Sequence, residues 1–211
     1  YAESAGGGMH NDNCSPILTN CSFISNSSYE GGGIYNVLYA SPIITNCIFW
    51  QNLANFGGGI RNSYYSSPKL INCTFGVNVA TENGGGMYSD SGVTSITNSI
   101  LWEDSPNEIN ASSALVTYSD VQGGYSGEGN IDINPLFVDS DNGDFHLNLN
   151  SPCIDVGNNA AQNLPLFDFD GDDRLLDGDS NGVVIVDMGV DEAKLYRVYL
   201  PMILRWPEYF N

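Results

Sequence analysis

The sequence predicts an all-β fold, a parallel β-helix (β-solenoid) with about 26 residues per coil, on three observations. First, the chain writes nearly the same words repeatedly: "SPILTNCSFISNSSYEGGGI" from residue 15, "SPIITNCIFWQNLANFGGGI" from 41, "SPKLINCTFGVNVATENGGGM" from 67, and a worn copy, "GVTSITNSILWED", from 92. Second, Asn20, Asn46, Asn72 and Asn98 stand 26 residues apart, and a fixed period of roughly 20 to 50 residues means stacked units that cannot bury a core alone. Third, apolar residues alternate in runs such as "PIITNCIF", broken by Asn, Gly and Ser-Pro, and no helical periodicity occurs in the first 120 residues. That is the pattern of strands and turns.

Taken in order, each unit supplies three short strands and three turns, and units stacked in register climb about 4.8 Å per coil. Glycine triplets at 6–8, 31–33, 57–59 and 84–86 are spaced by 25, 26 and 27 residues, so one turn of the coil absorbs small insertions. Glycine suits a turn that needs positive φ or a place where coils approach without Cβ atoms. A phosphate cradle is disfavoured, because no Lys follows the glycines and the neighbourhood is acidic. Three polar columns share the period: Asn20, Asn46, Asn72 and Asn98; Asn26, Asn52, Asn78 and Asp104; Asn11, Asn36, Asn62 and Ser89. Each is expected to form a ladder in which one side-chain amide bonds the next and satisfies buried turn groups.

The units "GGGIYN" and "SPIITNCIF" resemble the repeats of polymorphic outer-membrane-type surface proteins over about residues 5 to 104. This resemblance implies a right-handed parallel β-helix, a fold shared by adhesins, structural surface proteins and polysaccharide lyases or hydrolases, so it does not fix an activity. After Trp102 the period fades. The passage "DFDGDDRLLDGDSNGVVIVDMGVDE" (168 to 192) resembles the closing segment of bacterial surface β-helices and is expected to form irregular coils and a C-terminal cap over a solenoid end. The expected divisions are therefore regular coils over 1–118, irregular coils with an acidic closing segment over 119–192, and a C-terminal strand or tail over 193–211. The tail carries a "VYLP" run similar to the ends of secreted bacterial proteins.

Six Lys plus Arg stand against 25 Asp plus Glu, a formal net charge of −19, which repels nucleic acid and anionic membranes. Sixteen of those acids lie between Asp120 and Glu192, and such a local excess invites a divalent cation. The spacing of Asp168, Asp170 and Asp172, and of Asp177, Asp179 and Asn181 before Gly182, places oxygens at alternate positions of tight turns, with Asp187 close by. Hard oxygen ligands in this pattern point to Ca2+. The match to an EF-hand is incomplete: with Asp177 at the first position, the twelfth is Met188 rather than Glu. Asp139, Asp141 and Asp144 in "DSDNGD" form a second, weaker candidate loop for Ca2+.

Cys21, Cys47 and Cys73 share one phase of the repeat. In-register side chains point the same way, a poor geometry for disulfides, so these read as buried thiols. His10 takes the phase of Tyr35, Arg61 and Tyr88 and is expected as an outward turn residue, and His146 stands alone. No triad spacing is readable, and the regular strands offer no grouped acids with a base, so the chain is expected to be non-catalytic. Of five Asn-x-Ser/Thr sequons, those at Asn20, Asn26 and Asn72 fall in the polar columns and are expected to be buried, leaving Asn13 and Asn110 as glycan carriers.

No apolar run approaches the roughly 20 residues of a membrane span, and the chain, opening at Tyr1 without a basic or apolar leader, reads as a mature form. The expectation is an extracellular or cell-surface structural protein that self-associates head-to-tail with Ca2+, the alternative being a carbohydrate-binding or polysaccharide-degrading β-helix. Exposed Tyr35, Tyr39, Tyr64, Tyr65 and Tyr88 would supply a stacking face for glycans.

Overall fold

The computed structural model of the chain describes residues 6 to 194. It is a parallel β-solenoid built on three five-stranded sheets. The first stacks Met9–Asp12, Ile34–Val37, Ile60–Asn62, Met87–Ser89 and Ile109–Ala111; the second stacks Ile17–Thr19, Ile43–Thr45, Lys69–Ile71, Thr94–Thr97 and Ala114–Thr117; the third stacks Ser22–Ile24, Ile48–Trp50, Thr74–Gly76, Ile100–Trp102 and Asp120–Val121. Partners are in register one coil apart: Ile34 opposes Ile60, Ile44 opposes Leu70, and Phe49 opposes Phe75. A short fourth pairing joins Leu53–Phe56 to Val79–Asn83.

The interior is made by inward-facing residues of these strands, the first residue of the strands Ile34–Val37, Ile60–Asn62 and Met87–Ser89 in the first sheet and mostly the middle residue in the other two, as period-2 alternation requires. Ile34, Ile60 and Met87 meet Leu18, Ile44, Leu70 and Ile96 from the second sheet and Phe23, Phe49, Phe75 and Leu101 from the third. The three phenylalanines stack with ring centroids 5.0 and 4.4 Å apart, close to the rise per coil. Cys47 and Cys73 lie in the same core as free thiols, as the sequence leads one to expect.

The glycine triplet does two jobs. Its first residue takes positive φ, +58° at Gly31, +66° at Gly57 and +68° at Gly84. Its last lies against the next coil, and a Cβ on Gly59 would sit 2.5 Å from the Gly86 carbonyl oxygen and 2.9 Å from the Phe75 ring.

The three polar columns behave differently from one another. The second is a continuous ladder: Oδ1 of Asn52 accepts from the backbone N–H and side-chain amide of Asn26, Asn78 serves Asn52 in the same way, and Asp104 serves Asn78, at 2.6–3.1 Å throughout. The third runs from Asn11 to Asn36 to Asn62 at 2.8 Å per step. It then leaves the expected path, because the Asn62 amide reaches Thr94 Oγ1 at 3.3 Å, while the shorter Ser89 hydroxyl turns to the Ser91 carbonyl. The first column is not a ladder throughout. Asn46 bonds Asn20 at 3.1 Å and Asn98 bonds Asn72 at 3.4 Å, with no such bond between Asn46 and Asn72. All four take φ near +50°, and Asn46, Asn72 and Asn98 bond the C-terminal segment.

That segment also corrects the expected cap. Residues 128–131 cover part of the last coil, with the Val121 N–H donating to Ile131 O and the Tyr118 N–H to Glu128 O. An antiparallel hairpin of Phe137–Asp139 and Asp144–Leu147 follows. From there to residue 194 the chain, without regular secondary structure, lies as a strap on the solenoid flank rather than over its end. It covers the outer face of the third sheet: Ile100 packs with Leu147, Cys153, Ile154 and Met188, and Ile48 with Phe145 and Val190. The expected C-terminal strand or tail lies, beyond Lys194, outside the described residues.

Candidate functional site

The strap is held by amides that the repeat places at one height per coil. The Asn46 amide donates to Phe167 O at 2.7 Å, the Asn72 amide to Asp187 O and Gly189 O at 3.0 and 3.2 Å, and the Asn98 amide to Asn158 O at 3.2 Å, while Asn98 Oδ1 accepts from the Asn158 N–H at 2.8 Å. Between them sits Arg174, fully buried. Its guanidinium donates to Asn46 Oδ1 at 2.6 Å and to the carbonyls of Gly189, Val190 and Asp191 at 2.8–3.2 Å, with the Glu192 carboxylate 3.6 Å away. Burial pulls the Arg174 pKa down, and the carboxylates of Glu192, Asp168, Asp187 and Asp191 oppose that pull.

The acidic residues singled out from sequence divide by role. Asp168 is buried and accepts three backbone N–H bonds, from Asp170, Asp172 and Glu192. Asp187 is also buried and accepts from the N–H groups of Asp155 and Ala193. Asp172 pairs with Lys194, Asp139 accepts from the Asn142 amide at 2.8 Å, and Asp141 lies exposed in the one-turn 3-10 helix Ser140–Asn142. Asp144 and Asp170 both meet His146.

Asp177 and Asp179 converge with Asp155, and one oxygen of each lies within 4.8 Å of the others. The loop is tight: the Gly182 N–H donates to Asp177 Oδ2, and Asn181 bonds both oxygens of Asp179. Asp155 Oδ2 accepts the Asp179 N–H at 2.8 Å. Asp177 Oδ1 is buried with no hydrogen-bond donor. Three carboxylates suit a hard cation such as Ca2+, whereas Asn181 turns its amide nitrogen to Asp179 and its oxygen to the Val183 N–H. Asp155 was missed in the sequence because it is local to none of the acidic loops, and only folding brings it there.

A second carboxylate pair lies at the far end of the Asn ladder. Asp104 and Glu108 are buried, and Asp104 Oδ2 and Glu108 Oε2 have no hydrogen-bond partner. Burial raises Asp104 to about 7, and burial with the Asp104 charge raises Glu108 to about 10.

On the opposite face, Tyr39 and Tyr65 stack at 5.7 Å, both exposed, beside Tyr64. A cavity of about 390 Å³ lies there, walled in part by Arg61, which bonds Glu30 and Asp90 at 2.7 Å each and covers the Tyr88 ring at 4.3 Å. His10 stacks on Tyr35 in the expected phase, but on the strand Met9–Asp12 rather than in the expected turn. Of the sequons, Asn72 is buried as expected, but Asn20 is exposed, since the strap reaches Asn46 and not the coil below it. Among the described residues no helix is long and apolar enough to cross a membrane.

Compared with family models, curated proteins and solved structures, the chain shows no match.

Proposed function

We propose that the chain is a non-catalytic structural β-solenoid of the cell surface or extracellular matrix, clasped along one flank by its own C-terminal segment and braced there by Ca2+. The observation that carries this reading is the use of the repeated polar groups: Asn46, Asn72 and Asn98 are spent on holding the strap. A rod stiffened along its length suits spacing or load rather than turnover. The likeness of the repeats and closing segment to bacterial surface β-helices supports the location. Ca2+ is assigned to Asp155, Asp177 and Asp179, whose oxygens converge.

Head-to-tail association belongs to the same reading. Met9–Asp12 and Ile109–Ala111 are the two edge strands of the first sheet among the described residues, and unlike ends that pair do not close on themselves but propagate. Sedimentation and electron microscopy of the full chain in Ca2+ test this; a monodisperse monomer at high concentration, unchanged by deletion of 193–211, ends the filament. Turnover of any polysaccharide in an activity screen ends the non-catalytic assignment.

A second reading rests on the stacked Tyr39 and Tyr65 with Tyr64, beside Glu30 and Asp90. Aromatic faces flanked by carboxylates suit binding of a neutral glycan. A glycan array, with Tyr65→Ala as control, decides it: retention by the parent chain and not the variant supports binding.

A further inference from the structure

We propose that His146, Asp170 and Asp191 form a binding site for a divalent transition cation of the zinc class, separate from the Ca2+ loop and held in position by Asp144. The three residues come from the hairpin and from two distant stretches of the strap, and one ligand atom of each lies within 4.8 Å of the other two. His146 Nε2 is 2.8 Å from Asp170 Oδ2. The other ring nitrogen, Nδ1, meets Asp144 Oδ1 at 2.5 Å. A carboxylate on the remote nitrogen fixes the ring and makes the facing nitrogen a better ligand, the arrangement that supports metal-bound histidines.

Asp191 supplies the independent observation. It is only 7 % exposed, its Oδ2 accepts the Leu147 N–H at 2.8 Å, and its Oδ1 has no donor among the described residues. It lines a cavity of about 210 Å³ whose apolar walls are Ile48, Phe145, Phe169 and Val190. The same cavity is lined by His146, Asp170 and Asp191, so a cation seated there meets all three. Asp144, Asp170 and Asp191 bring three negative charges to one imidazole, and a divalent cation would neutralise them better than the single proton His146 can hold.

The donor set selects the ion. An imidazole nitrogen with carboxylates suits zinc or its neighbours in the first transition row, whereas calcium takes oxygen ligands. In a tetrahedral site with bonds of about 2.0–2.2 Å, ligand atoms lie roughly 3.3 Å apart. The His146–Asp170 contact therefore opens by about half an ångström, and the cavity leaves the fourth position to water. Such an ion would pin the hairpin to two points of the strap.

Cobalt(II) titration of the full chain, stripped of metal and carrying Cys14→Ser to remove the exposed thiol, tests the site. The expected result is one equivalent bound with visible d–d bands, lost in His146→Gln and Asp170→Asn and unchanged in Asp177→Asn. Asp144→Asn should weaken binding about 10- to 100-fold. His146 is more than half exposed, so its replacement leaves packing intact, which circular dichroism checks. The chain has two histidines, and zinc should shift the ring-proton resonances of one of them only. Cobalt binding that persists in His146→Gln, or no binding to the parent at micromolar cobalt, overturns the assignment. Loss of Ca2+ binding in Asp177→Asn with cobalt binding intact would separate the two sites.

Discussion

Arg174 donates from Nη2 to Oδ1 of Asn46 at 2.6 Å, joining two residues 128 apart in sequence. The bond links the strap to the solenoid at a point where the strap also folds on itself, since the same guanidinium gathers the carbonyls of 189–191. Removing a buried, bonded charge leaves its acceptors and neighbouring carboxylates unpaired. Arg174→Met should cost about 3–5 kcal/mol and expose the strap to protease before the coils. In a double-mutant cycle, Asn46→Leu and Arg174→Met should couple by about 0.5–3 kcal/mol; additive losses on thermal or urea unfolding would show that the two act independently.

The Asn52–Asn78 rung offers a test of the ladder alone, since neither side chain bonds the strap. Asn78 serves the Asn52 N–H and amide and donates to Phe49 O at 2.8 Å. Asn78→Leu strands these groups in the core, at about 1–3 kcal/mol for each left unsatisfied. Urea unfolding of the variant should show at least one such increment; an unchanged midpoint would remove the ladder from the account of stability.

Stability should fall as pH rises. Burial raises Asp104 and Asp187 to about 7, Glu192 to about 9 and Glu108 to about 10. An acid whose folded pKa exceeds its unfolded value binds more protons when folded, so its stabilisation is complete below about 4 and is lost as pH climbs through the folded value. The melting temperature should therefore be higher at pH 5 than at pH 8. Glu108→Gln, which removes one of two facing acids, should raise melting at pH 8 and flatten the dependence. A melting temperature that rises from pH 5 to pH 8 would refute the assignment of these groups.

Chelation should loosen the strap. With EDTA, Asp155, Asp177 and Asp179 repel one another across less than 4.8 Å, and residues 155–192 should become more sensitive to protease while the regular coils stay protected. In protein loaded with Ca2+ alone, Asp177→Asn should mimic EDTA and make the chain indifferent to it. Absence of heat on calorimetric titration with millimolar calcium would remove Ca2+ from the proposal.

The coils were legible because each position of the repeat has one environment, so Phe23, Phe49 and Phe75, or Asn26, Asn52 and Asn78, say the same thing three times. The fate of Asn46, Asn72 and Asn98 was not. Their shared phase fixes their backbone, but the partner of each amide comes from a strap that has no period. One signal did stand in the sequence: "IFW" (48–50) and "ILW" (100–102) are apolar at successive positions, so both faces of the third sheet are buried, and something had to cover Ile48, Trp50, Ile100 and Trp102. The meeting of His146 with Asp170 and Asp191 left no such trace, because the residues lie far apart in an irregular stretch where spacing carries no geometry.

The strap also fixes copy number. Solenoids ordinarily gain or lose whole repeats at small cost, because each coil contacts only its neighbours. Here Phe167, Asp187 and Asn158 address Asn46, Asn72 and Asn98 individually. Duplicating the coil between Asn46 and Asn72 would displace one set of addresses by about 4.8 Å relative to the other, and no sliding of the strap could restore both. A lineage that lengthens this body by duplication must therefore rewrite its C-terminal segment in the same step.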